Sequence, residues 1–517
     1  MAEKVTVAAF FMQILCTLAI SGLIALIGFV YAWPSYNIEN FESNSTVLSW
    51  PLTTFEKSLL GSLTNIGALL LTPTCGYALN IFGRRYSAML FGLPMIIGWT
   101  IISLTNYTPL IILAMGISGF GAAGQAVTSV YIAEIVQDSI RGMLTSSCVT
   151  IFFAGLLFSY AIGGYLTYQQ VIYVHLTGSC LYIAVLGLLK ESPVYLVQKG
   201  REEDAKRSIA FYRRVDVTSK EVEVEIKKIK LQLDPRIDEI LHGETEGKLL
   251  LNGVKRVYHL HVLDITVMDE NIFLVEPHEK ELLDKKLQPV EEVKSVSQWQ
   301  FLKNSESSKR ALMMALIIMT ANIMMGGIVL QVYAEPMFKE AVPSMHPNTC
   351  AILLAVDLMV ASFICASVVD KFGRRFLMTT SAIATGICTL LLASQLHLGY
   401  GPYWYTAFLI YAYCFVYNLG AATVPYIMSA EMFLPEVRGL CNSMVMACMW
   451  ISNFVTLIIF NPMVDSFGLG PLFYFFTIIC ISTAIYSHFC LVETKGLSAD
   501  QIQLLFLKKN KKENIKV

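Results

Sequence analysis

Paired acids and arginines are the residues whose types and spacing could do chemistry in this chain. Phe82-Gly83-Arg84-Arg85 is followed by Tyr131-Ile-Ala-Glu134 with Arg141, and then by Glu191. The same order returns as Phe372-Gly373-Arg374-Arg375, Ser429-Ala-Glu431 with Arg438, and Glu493. Groups of this kind form and release ion pairs. One exposed pair contributes only about 0–1 kcal/mol, but a network of several could bias an equilibrium between two conformations. Asp357 lies inside an apolar run, and an acid at such a position is functional by default. Proton coupling is one reading of it, and a hydrated acid beside a cavity is the other. The sequence has no P-loop, no nucleophile with its base and no metal-ligand spacing. Enzyme is therefore the least supported class, and no cofactor or metal is expected.

The elements that must position these groups are apolar helices. Of the 517 residues 55% are hydrophobic and only 15% charged, with mean hydropathy +0.57. A soluble domain carries roughly a quarter charged residues, so this chain cannot cover an ordinary water-facing surface. Its net charge of −1 predicts no nucleic-acid partner. Apolar runs of about 20 residues, the length that crosses a bilayer, centre near Ala19, Leu69, Ile97, Gly121, Gly155, Leu181, Ile318, Leu358, Ile387, Ala412, Val455 and Ile481. The expected organisation is a six-helix half over 1–190 and a central loop over 191–309 carrying an insertion near 235–300. A second six-helix half over 310–492 and a tail over 493–517 follow. Most of the 12 cysteines fall inside apolar runs and read as small hydrophobes rather than a disulfide framework.

Basic residues sort the connections. Arg84, Arg85, Arg141, the central loop, Lys371, Arg374, Arg375, Arg438 and the Lys-rich tail lie on one side, while the other connections hold little beyond Lys339. The positive-inside rule then places both termini and the central loop in the cytoplasm of a multi-pass plasma-membrane protein. Asn44-Ser45-Thr46 falls on the outer side, where a glycan at Asn44 is expected.

The charged motifs recur at offsets of roughly 290–300 residues, as a duplicated six-helix unit would give. With Ala32-Trp33 and the Gly61-Ser62-Leu63…Gly67-Ala68-Leu69 pattern, they make the chain resemble the sugar porter family of the major facilitator superfamily, and within it the insect facilitated trehalose transporter-like branch. The resemblance implies an all-α membrane fold of twelve transmembrane helices in two pseudo-symmetric halves with an intracellular helical loop domain. It also implies that Arg84, Arg85, Glu134, Arg141, Glu191, Arg374, Arg375, Glu431, Arg438 and Glu493 form salt bridges between the halves that close an inner gate while the carrier faces outward and separate when it opens inward. For the arginines the competing reading is simple inner-face anchoring. Ile81 and Ala114 stand where the family often has arginine.

A sugar site needs amides and an aromatic face. Tyr333-Ala334-Glu-Pro-Met-Phe338 keeps the ending of the family's seventh span, and Asn322 keeps an amide, but Ile323 and Ile328 replace two others. Val149, Leu358 and Met449 also depart from the pattern, while Tyr426, Trp450, Asn453 and Asn418 remain as substrate-binding candidates. Gln13, Asn65, Gln125, Thr128, Thr150 and Gln331 could compensate, though such residues more often join helices.

In the central loop, 201–215 and 219–233 read as helices, and 250–275 as short strands or an irregular insertion. A docking site for a cytosolic partner and a tolerated insertion are the two readings of that loop. The function expected is facilitative carriage of trehalose or a hexose-like sugar by alternating access. A carrier of a less polar solute and a non-transporting sensor are the alternatives.

Overall fold

The computed structural model describes residues 5–232 and 298–495, together with 497, 502–503 and 505–506. The 250–275 segment, expected as strands or an irregular insertion, lies outside the described residues.

Among the described residues, eleven helices are long and apolar enough to cross a membrane. Val7–Glu42, Thr54–Phe82, Arg84–Leu104, Thr108–Ile135, Ser139–Tyr165 and Tyr168–Leu188 form spans one to six. Pro347–Val369, Arg374–Leu398, Tyr403–Glu431, Val437–Phe467 and Leu469–Cys490 form spans eight to twelve. Their starts carry local signals. Thr53 caps span two in a reciprocal box with Glu56, Thr167 caps span six with Gln170, and prolines occupy the first turns of spans four, eight and eleven.

Span seven, centred on Ile318 by hydropathy, is a helix in pieces: Glu306–Met324, then Gly327–Val332, with a separate end helix over Ala334–Ala341. The break falls at Gly326, whose φ of +91° suits glycine alone. In hydrocarbon an unsatisfied backbone group costs several kcal/mol, so the break needs hydrogen-bond donors. Span ten supplies them. The Tyr413 hydroxyl donates to the Met325 carbonyl at 2.7 Å, and the Tyr417 hydroxyl to the Asn322 carbonyl at 3.1 Å. A Cβ on Gly327 would lie 2.1 Å from the Tyr417 ring, so this approach requires two consecutive glycines.

Spans two and eleven pack together across the interface between the halves, as do spans five and eight. Three short helices after span six, Pro193–Gln198, Glu202–Arg213 and Lys220–Gln232, close a small apolar core around Leu196, Ile209, Val222 and Ile226. They dock on the first half through Tyr212, whose hydroxyl donates to the Lys190 carbonyl and lies 3.1 Å from that of Tyr131. Ser208 donates to the Glu191 carbonyl at 2.6 Å.

Tyr417→Phe removes a buried donor from the broken span and leaves the Asn322 carbonyl and amide short of a partner. The expected loss is about 1–3 kcal/mol, read as lowered Tm of the detergent-solubilised protein, with Tyr173→Phe at an exposed position of span six as the unaffected control.

Candidate functional site

The charged motifs assemble into two copies of one cluster. In the first half, Gly83 carries φ +86° and its backbone presses against Glu191, so that an added Cβ would meet the carboxylate at 2.6 Å. Glu191 accepts the Arg84 and Arg85 N–H groups at 2.8 and 3.1 Å, placing an anion on the N-terminus of span three. The Arg84 guanidinium turns to Glu134 at 2.6 Å, and the other Glu134 oxygen accepts the Ser192 hydroxyl. Arg85 donates to the Leu189 carbonyl at 2.9 Å.

The second half repeats each contact. Gly373 has φ +88° with its Cβ position 2.7 Å from Glu493. Glu493 accepts the N–H groups of Arg374 and Arg375 at 2.9 and 3.0 Å. Arg374 pairs with Glu431 at 2.7 Å, Glu431 accepts the Thr494 hydroxyl at 2.6 Å, and Arg375 donates to the His488 carbonyl. Arg141 and Arg438 each reach the carbonyl five residues back, Val136 at 3.4 Å and Phe433 at 3.3 Å.

The pairings Arg84–Glu134 and Arg374–Glu431 thus lie inside one half each. The resemblance implied pairs between the halves that separate when the inner end opens. In this structure one nitrogen of each guanidinium also reaches a carbonyl of its own half, Leu79 for Arg84 and Val369 for Arg374. Ser192 and Thr494, which complete the clusters, follow the two acids in the repeated motif, but being uncharged they give no sequence sign of this role.

At the opposite end the halves are joined directly. Ser35 accepts the Glu335 N–H at 2.9 Å. Asn348 donates to the Tyr160 carbonyl at 2.9 Å and to the Glu335 carboxylate at 2.8 Å. Tyr160 donates to the Gln331 carbonyl. Asn461 donates to Ser58 at 3.1 Å, Thr54 to Asp465 at 2.7 Å, and Lys339 pairs with Glu39 at 2.7 Å. Tyr333 seals the centre, stacked on Phe460 at 5.2 Å and filling the space over Gly61, where a Cβ would sit 2.4 Å from its hydroxyl. Sequence reading kept Tyr333 as a motif residue and missed this seal, since small polar residues scattered over several spans carry no periodic signal. Asn44 is exposed at this same end.

Between the ends, most of the expected binding amides are occupied. Asn322 accepts from the Tyr417 hydroxyl at 2.6 Å and donates to the Ala422 carbonyl at 3.4 Å. Asn418 bonds its own helix at the Cys414 carbonyl, and the Tyr426 hydroxyl meets the Met449 sulfur at 3.1 Å. Trp450 crosses between the halves, its indole N–H donating to Thr72 at 3.0 Å. Gln13 is spent on Gln137, Asn65 on Tyr31 and Ser62, and Thr150 meets Ser362 across the interface at 3.1 Å. Asn453 differs: it is buried, and its Oδ1 has no hydrogen-bond partner among the described residues.

Asp357 sits nine residues after Asn348 and five before Ser362, so at 100° per residue it faces away from the side of span eight that meets span five. Tyr411 and Cys414 of span ten lie within electrostatic reach of it. One carboxylate oxygen, Oδ2, is buried there without a hydrogen-bond partner among the described residues.

The family model described as "Sugar (and other) transporter" matches residues 4–265 and 271–506. The facilitated trehalose transporter Tret1 of Polypedilum vanderplanki is 24% identical over 506 residues, covering 95% of this chain and 87% of that protein. Its Culex quinquefasciatus counterpart is 21% identical over 513 residues, covering 97% and 87%. Among solved structures, the xylose transporter XylE of E. coli in a partially occluded inward-open conformation superposes with TM-score 0.69 at 17% identity, covering 95% of this chain and all of that one. The inward-open XylE structure gives the same TM-score at 18% identity over 96% and 99%.

The two clusters respond differently to loss of their acid. Arg84 and Glu134 are both largely shielded, with side-chain exposures of 9% and 16%, whereas Glu431 is 29% exposed. Glu134→Ala strands a buried guanidinium at an expected cost of about 3–5 kcal/mol. Glu431→Ala costs less because water reaches Arg374's partner. Thermal unfolding of the two variants side by side checks the order.

Proposed function

The chain belongs to the sugar (and other) transporter family, and on that footing we propose that it is a facilitative carrier of a sugar, trehalose or a hexose-like solute, working by alternating access. The observation that carries the reading is the asymmetry of the two ends. Each half holds its own charged cluster at the arginine end, whereas hydrogen bonds from one half to the other tie the opposite end shut. Two self-contained bodies closed at one end are what an alternating-access cycle requires of its inward-facing state, with the substrate biasing the balance between states.

The orientation proposed follows the arginines. The cluster end, both termini and the central loop face the cytoplasm, and the sealed end with Asn44 faces outward from the plasma membrane. Arg84, Arg85, Glu134, Glu191 and their counterparts hold each half rigid at the cytoplasmic end, and Arg141 and Arg438 approach the interface when that end closes. The central loop is proposed as the place where a cytosolic partner would meet the carrier.

Asn453 is the proposed sugar-contacting amide, because a buried carbonyl oxygen without a partner is satisfied when a hydroxyl reaches it. Trp450 and Tyr426 supply the apolar and aromatic surface beside it. Asn322 and Asn418 are proposed to shape the site through the broken seventh span rather than to touch solute. The occupied amides, with Ile323, Ile328 and Leu358 buried nearby, favour as second reading a carrier for a less polar solute. Asp357, in the seam between spans eight and ten, stands off this path. Asp357→Asn is expected to leave the pH dependence of transport as in the wild type, and loss of that dependence would restore it as a coupling site.

Uptake of radiolabelled trehalose and glucose in oocytes tests the solute. Saturable uptake is expected, with Asn453→Ala weakening apparent affinity roughly 5- to 150-fold, the equivalent of one lost hydrogen bond at about 1–3 kcal/mol. Absence of uptake with the protein at the surface would remove the sugar reading. An Asn44→Gln change is expected to abolish a glycosidase-sensitive shift in gel mobility, which fixes the outward end.

A further inference from the structure

We propose that Glu335 is a proton-binding site built into the outer seal, so that a proton taken up from the outside holds the seal closed and its release accompanies opening. The inference rests on the alternating-access reading above but is independent of which solute is carried.

Glu335 opens the end helix Ala334–Ala341, just beyond the broken seventh span. Its N–H is held by Ser35 of span one and its carboxylate receives one hydrogen bond, from Asn348 of span eight. Tyr36 and Tyr160, from spans one and five of the opposite half, lie within electrostatic reach of it. The charged or titratable groups facing it are Glu39 on span one, His346 in the loop that follows, Cys350 in the first turn of span eight, those two tyrosines, and Lys339 one turn along its own helix. Among the described residues, no cation pairs with it. Lys339 is engaged by Glu39 at 2.7 Å. Burial holds the Glu335 carboxyl above the ordinary carboxylate range, with Glu39 pushing the same way and Asn348 and His346 opposing.

What opening changes can be read from which half each neighbour belongs to. Asn348, His346 and the N-terminus of the end helix travel with Glu335, so their influence is nearly the same in both states. Ser35, Tyr36, Tyr160 and Glu39 belong to the other half and depart. Departure lets water reach the carboxyl, removes a like charge, and frees Lys339 to pair with Glu335 four residues away. All three effects favour the carboxylate. The closed seal therefore binds the proton more tightly than the open one, and linkage makes acid favour closure. Each unit of difference in proton affinity shifts the closed-to-open ratio roughly tenfold.

Ser62 gives a reporter. It is fully buried on span two, one residue after Gly61, and its hydroxyl bonds nothing among the described residues. In a Ser62→Cys chain, labelling by a membrane-impermeant maleimide is measured on intact cells between external pH of about 5 and about 8. The rate is divided by that of Ser62→Cys with Glu335→Gln, which cancels the intrinsic pH dependence of the thiol. The expected result is a ratio that rises several-fold from acid to alkaline pH. In a Lys339→Met background, where the open state lacks its counter-ion, the rise should move to higher pH. Ser62→Cys with Asp357→Asn should behave as the parent. A ratio that stays flat while labelling proceeds would overturn the proton site and leave alternating access standing. A thiol that never labels at any pH, despite surface expression, would overturn both.

Discussion

A backbone crossing hydrocarbon must find its hydrogen-bond partners within the protein, because the lipid offers none. Wherever this chain departs from a continuous helix, that demand selects the neighbours. The gap in span seven exists because Tyr413 and Tyr417 reach its loose carbonyls. The sharp turns at Gly83 and Gly373 exist because Glu191 and Glu493 accept the N–H groups that the next helix exposes. The arginine–acid pairs are a second layer on the same scaffold. Once a carboxylate fixes the start of span three or nine, the guanidinium beside it pairs with Glu134 or Glu431.

The two ends of the bundle consequently differ in kind. At the arginine end the acid–arginine bonds that build the two clusters are charged and internal to a half, so they persist when one half moves against the other. At the sealed end they are mostly neutral, single and shared between halves. Each contributes about 0.5–1.5 kcal/mol net, and water replaces many of them when the halves part. A seal made of many such bonds is firm as a set yet yields without breaking a buried ion pair. Its ion pair, Lys339 with Glu39, is exposed and so adds little.

Much of this was legible in the sequence where the signal is periodic or repeated. Hydropathy located the spans, including the centre of the seventh, and the order Gly-Arg-Arg, Glu, Glu exposed the duplication. The partner of each charge was not legible, because spacing assigns a residue to a helix end without saying which way a long side chain turns. Arg84 faces Glu134 through a choice made by Gly83's backbone. The fate of the amides was equally hidden: Asn322 reads as a ligand until Tyr417 is placed on it. The Gly326-Gly327 pair was the available clue to the break, since two glycines in mid-span are costly unless a neighbour needs the room.

Confining each cluster to one half also sets a schedule for synthesis. The first acid latch, Glu191, emerges 107 residues after Arg84, immediately behind span six. The ribosome, adding about 5–20 residues per second, then has roughly 300 more to make before Glu493 appears. For that interval, from about 15 seconds to a minute, the first half has every group it needs to fasten itself while the second does not yet exist. The translocon can therefore release a finished six-helix body, and the later half inserts beside a template whose shape is already settled.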